Sequence, residues 1–174
     1  VDYDRLLSAF ADHVVLVLNP RAVDYPMDVN RTSVTKMTIP LLGGTLESMQ
    51  LWDILRSVEY LVDEEKLSLS SISVYARQQM GGLALHAGAI DGRISRVILD
   101  DPPASHWQGP ALLNVLRITD LAEVAAMMAP REIVSLTPLP DNYRYTRSIF
   151  SLHGKSGSIR QAASLGEALR VWEY

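Results

Sequence analysis

A chain of 174 residues and 19.3 kDa is long enough for one domain, spanning 1-174, with a core that needs neither disulfides nor a structural metal. Lysine and arginine number 16 against 20 acidic residues, a net charge of -4, and the basic residues are scattered, which argues against a nucleic-acid partner. There is no cysteine, so thiol nucleophiles, thiolate metal sites and disulfide frameworks are excluded together.

Leu6, Leu7 and Phe10 recur at helical spacing before Asp12, and His13 to Leu18 is a β-branched and leucine run ending at Asn19-Pro20. This predicts a short helix feeding a buried strand. Apolar runs such as Val14 to Leu18 are far shorter than the ~20 residues of a membrane helix, and no signal-peptide pattern precedes them. A start on Val1, close to an expected helix, suggests a fragment; a complete chain would read as cytoplasmic.

Residues 19 to 44 hold Pro20, Pro26, Pro40 and Gly43-Gly44 with little periodicity, a loop long enough to be expected to serve function or fold locally. From Thr45, an expected N-cap, Leu46, Met49, Leu51, Trp52, Leu55, Val58 and Leu61 follow a helical period to Val62. Ser71 to Tyr75 reads as the second strand and Met80 to Ala89 as a helix rich in glycine and alanine.

Arg96 to Asp100 is a third strand, followed by the loop Asp101 to Pro110. A helix over Leu121 to Met128, a strand over Glu132 to Leu136, a helix over Tyr143 to Leu152, a weak strand over Ser158 to Ala163 and a helix over Leu165 to Trp172 complete the chain. Strands and helices alternate five times, which predicts an α/β three-layer sandwich with a mostly parallel five-stranded sheet. Ligands in such sheets sit at the carboxyl ends of the strands, so the loops after Leu18, Tyr75, Leu99, Leu136 and Ala163 are those to search.

Several segments in sequence order carry a resemblance. Asn19-Pro20-Arg21-Ala22-Val23-Asp24 is similar to an Asp-x-Arg-Gly-x-Gly loop, and Leu51 to Leu61 to the helix before a nucleophile strand. Ser73 to Gly82 (SVYARQQMGG) has the layout of a nucleophile elbow, Ala87 to Ile94 is similar to Ala-Ala-x-Asp-x-Arg-Ile, and Met128-Ala129-Pro130-Arg131 precedes the next strand. Together they resemble the α/β-hydrolase superfamily, in its acetyl xylan esterase-like branch, over nearly the whole chain. The resemblance implies a hydrolase acting on a carbohydrate or carboxylic ester. It also implies that the first strands and the oxyanion-hole loop of that fold lie upstream of Val1. A third strand would then be missing between 13–18 and 71–75; either these two pair directly, or a second copy covers the open edge and the protein is a homo-oligomer.

The chemistry departs from that pattern. Gln78 stands where the elbow would carry serine, and shifting by one residue puts Gln79 there; neither can form an acyl intermediate, though a carboxamide NH2 can donate to an oxyanion. Gln78, Gln79, Arg21 and Trp107 are therefore candidate substrate-binding residues. Candidate catalytic groups are Asp100 and Asp101 at the third strand's end, His106 in the loop beyond it, and Asp141, which reads equally as a helix cap. No histidine follows the last strand, and His86 and His13 fall within element interiors, where packing or a local partner is expected.

The histidine spacing offers no zinc pattern, and no Gly-x-Gly-x-x-Gly or Walker lysine is present, so no cofactor is expected. Gly81-Gly82 is expected to allow close packing of helix on strand. Two readings stay open: an enzyme with a non-standard carboxylate and histidine site acting on a small molecule or carbohydrate, or a catalytically inactive hydrolase-fold module for binding or oligomerisation.

Overall fold

The computed structural model describes residues 14–22, 37–64 and 71–169. The helix expected near Leu6, the middle of the 19–44 loop and the end of the last helix lie outside these residues. Four strands, β1 (Ile72–Arg77), β2 (Ile94–Asp100), β3 (Glu132–Ser135) and β4 (Ile159–Gln161), form one parallel sheet in the order β1-β2-β3-β4. Helix α1 (Leu46–Glu59) precedes them, and α2 (Gln79–Ile90), α3 (Leu121–Ala126), α4 (Arg144–Leu152) and α5 (Leu165–Leu169) separate or follow them. The α/β class and parallel pairing agree with the sequence; the strand number does not.

Among the described residues the sheet has four strands where five were expected, because residues 14–20 form no strand. Val14, Leu16 and Val17 are 62%, 44% and 53% exposed, so a run with high strand propensity finds no ladder there. Direct pairing of this run with β1 does not occur. Among the described residues β1 pairs with β2 alone and keeps an open edge, the feature from which self-association was expected.

β2 is the sheet's centre of gravity: Val97, Ile98 and Leu99 are fully buried, as a strand covered on both faces requires. Val97 and Leu99 face the larger core with Ile54 and Val58 of α1, Leu83 and Leu85 of α2, Leu121 and Val124 of α3, and Phe150 of α4. Ile98 faces the smaller one with Val134, Ala162 and Ala168. Helices thus cover both faces of the sheet, and the chain turns at the carboxyl ends Arg77, Asp100, Ser135 and Gln161.

α1 begins at the expected Thr45, whose hydroxyl accepts from the Ser48 N–H at 3.0 Å while Ser48 Oγ accepts from the Thr45 N–H at 2.9 Å. α2 is held at its far end by Arg131, whose Nη1 donates to the carbonyls of Gly88 (2.5 Å), Asp91 (3.1 Å) and Ile94 (2.8 Å). A cation on a helix C-terminus satisfies carbonyls that the helix leaves open. Close packing explains the glycines: a Cβ on Gly82 would stand 2.6 Å from Pro110 Cδ, and one on Gly88 2.8 Å from Met128 Sδ.

Candidate functional site

The carboxyl edge of the sheet is where the backbone is strained. Gln78, between β1 and α2, has φ 48° and ψ -129°, and Asp101, after β2, has φ 54°. Such a conformation costs a non-glycine residue about 1–3 kcal/mol and persists only where the surroundings enforce it. Here the Gln78 N–H donates to the Asp100 carbonyl at 2.9 Å, and the Gly81 N–H to the Gln78 carbonyl at 2.8 Å. These bonds extend the β1–β2 ladder one residue past the strand and start α2 at once, so the Gln78 side chain is carried out into solvent.

It lines an open pocket of about 320 Å³ together with Glu47 and Gln50 of α1, Arg77 and Gln79 of the turn, Pro110 and further apolar residues. Gln50 is buried and donates from Nε2 to the Arg21 carbonyl at 3.0 Å. Arg77 Nε lies 2.8 Å from Asp100 Oδ2, which also accepts from the Tyr75 hydroxyl at 3.3 Å. Burial, reinforced by the Asp100 charge, pushes the Tyr75 phenol above its usual range, so it stays a neutral donor. The pocket therefore presents three carboxamides, one carboxylate and a guanidinium shared with Asp100.

Gln78 and Gln79 meet in this pocket; the other candidates do not line it. Arg21 is tied to Asp53 of α1 through its guanidinium and its backbone N–H (3.1 Å), a pairing that holds the Asp53 carboxyl below its usual range despite partial burial. Asp100 is engaged with Arg77 and Tyr75. Asp101 is exposed, with its N–H donating to Thr137 Oγ1 at 2.8 Å. Asp141 opens a 3-10 turn, Asp141–Tyr143, with an exposed side chain and Pro140 at the cap position. Trp107 is 84% exposed.

His106 is buried in a separate cluster. Its Nδ1 and its backbone N–H both lie 2.8 Å from Asp120 Oδ1, and its Nε2 lies 2.8 Å from Nε2 of His86 on α2, the two rings edge to face at 5.1 Å. An ionised carboxylate only accepts, so His106 Nδ1 donates, and one proton lies between the two Nε2 atoms. Burial opposes ionisation of Asp120, but donors from Ser105, His106 and Leu121 outweigh it and hold the carboxyl below its usual range. Burial first, and the neighbouring His106 second, push His86 down to about 4. His86 is thus satisfied by a local partner, as its place in a helix interior led one to expect.

Sequence reasoning missed Glu47, Gln50 and Arg77 as pocket groups and Asp120 as the anchor of the histidine pair. Glu47 and Gln50 look like the polar face of an ordinary amphipathic helix, and only the fold turns that face toward Gln78. Asp120 did leave a signal: Asp120-Leu121-Ala122-Glu123 has capping-box spacing, and the Asp120 N–H donates to Glu123 Oε2 at 3.1 Å.

The chemistry available follows from these groups. A carboxamide donor at a strained turn can bind a carbonyl or hydroxyl oxygen but cannot attack one. Glu47 is the one carboxylate among the lining residues, where cleavage of a glycoside by carboxylates needs two. Among the described residues no three His, Asp or Glu side chains gather as a metal site requires, and no helix is long and apolar enough to cross a membrane. No protein-family model and no curated protein matches the chain.

Proposed function

We propose that this protein is an α/β-hydrolase-like module of the acetyl xylan esterase-like kind that binds a small polar ligand of acylated-carbohydrate type without hydrolysing it. The observation that carries this reading is Gln78: a glutamine held at φ 48° on a strand-turn-helix corner, with its side chain lining a pocket. A serine hydrolase places its nucleophile on a strained corner of this sort. A turn retained at a conformational cost while its side chain has lost nucleophilicity fits a site kept for binding. The parallel sheet and the position of α1 beside the turn support the same ancestry.

The enzyme reading has less support. Asp100, Asp101, His106 and Asp141 are spread over four environments, and the buried histidine has an aspartate and a second histidine as partners rather than a hydroxyl. A fluorophosphonate probe tests the binding reading against a serine nucleophile, and acetate release from an acetylated substrate tests it against a carboxylate and histidine site. Incubation with a large excess should leave the intact mass of the protein unchanged. A single stoichiometric adduct mapped to one serine would replace the binding reading with a catalytic one.

A further inference from the structure

Residues 101–120 connect β2 to α3 and supply Pro110 to the pocket wall. They lie on α2 at two points one helical turn apart, Pro110 against Gly82 and His106 against His86, so both contacts share one face of the helix. The second contact is polar and part-buried, with the His106 side chain 1% exposed, and it ends on Asp120, which is also the N-cap of α3. The remaining groups that face it are Ser105 of the same segment, the Glu123 carboxylate on the Asp120 N–H, and the buried Tyr143 phenol, which donates to the Pro103 carbonyl at 3.1 Å and stays neutral.

We infer that the Asp120–His106–His86 chain is an acid-released clasp, holding residues 105–120 and the pocket wall they carry against α2 and letting go when both imidazoles are protonated. The hydrogen bonding dictates this. With both rings neutral, His106 Nδ1 donates to Asp120 and His86 Nε2–H donates to His106 Nε2. One added proton is accommodated, because His106 then donates from both nitrogens and His86 Nε2 accepts. A second added proton sets two N–H groups against each other at 2.8 Å between two cations. That bond is lost and the charges repel.

The low value of His86 fixes the pH window. Its folded value is about 4 against an ordinary 6.5, so the open form binds the extra proton more readily than the closed one. The clasp is at full strength above pH 6.5, weakens as pH falls through that value, and has lost this contribution at about 4. Within the window opening takes up about one proton, so its equilibrium constant grows up to about tenfold per pH unit. The wall at Pro110 opens with it, so the pocket widens on acidification.

Hydrogen exchange followed by mass spectrometry on the full chain reads this without any ligand, so the outcome is separate from what the pocket binds. Corrected for intrinsic rates, amides in 105–120 should exchange up to about tenfold faster per unit between about pH 6 and pH 5, while β2 and β3 stay protected. His86→Gln should abolish the dependence, because its carboxamide NH2 donates to His106 Nε2 when that ring is neutral and its oxygen accepts from Nε2–H when the ring is protonated. Protection of 105–120 that does not change with pH in the wild type, or that falls equally in His86→Gln, would overturn the clasp. Nitrogen-15 titration of the wild-type imidazoles needs no variant: His86 titrating far below 6.5 in step with the loss of protection supports it, and His86 titrating near 6.5 overturns it.

Discussion

Replacing Asp120 with alanine is expected to destabilise the protein by about 3 kcal/mol, the largest effect of any single polar substitution at these sites. Two losses add. The N-cap of α3 disappears, with its bond from the Leu121 N–H at 2.8 Å, typically worth about 1 kcal/mol. The buried His106 then loses the acceptor of both its Nδ1–H and its backbone N–H, and an orphaned buried donor costs about 1–3 kcal/mol. Asp120→Asn keeps one acceptor oxygen and should lose about 1 kcal/mol, which separates hydrogen bonding from charge. Urea unfolding followed by circular dichroism measures both. A loss below about 1 kcal/mol for alanine would mean that Asp120 does not anchor the histidine pair.

Gln78→Gly is expected to act in the opposite direction on stability, raising it by about 1 kcal/mol. Glycine adopts φ 48° without the strain that a side chain carries there, and the relief exceeds its greater entropy loss on folding. The same substitution removes the carboxamide from the pocket and should weaken binding of an acetylated xylo-oligosaccharide at least tenfold, the equivalent of about 1.4 kcal/mol. Gln78→Val, β-branched, should instead destabilise. Stability that rises while binding falls is the signature of a corner strained for the sake of its side chain. A glycine variant less stable than the wild type would show that the corner is not strained.

What could be read from the sequence follows how local each feature is. α1 was legible because its cap and its period lie in one stretch: Thr45 closes the first turn, and of the apolar positions that mark the helix Val58 sits in the core with Leu51 and Leu55 packed against it, whereas Trp52 is exposed and the buried Ile54 lay outside the period. β2 and α2 were legible for the same reason, as was the corner between β1 and α2. The run at Val14 to Leu18 was misread because strand propensity says nothing of whether a neighbour exists, and no strand of the described residues pairs with it. In the site, position along the chain identified Gln78 and Gln79 but not the groups opposite them. The histidine pair was beyond reach: His86 and His106 are 20 residues apart and Asp120 a further 14, and only the packing of residues 101–120 on α2 brings them together.

Whether the pocket at Gln78 binds without reacting can be measured on one nuclear magnetic resonance sample. With acetylated xylotriose in excess, saturation of the protein should transfer to the acetyl methyl protons, and no free acetate should accumulate above the buffer blank over a day. Gln78→Ala should lose the transfer. Acetate released in many turnovers by the wild type, and lost in Gln78→Ala, would contradict the account and make Gln78 part of a working active site.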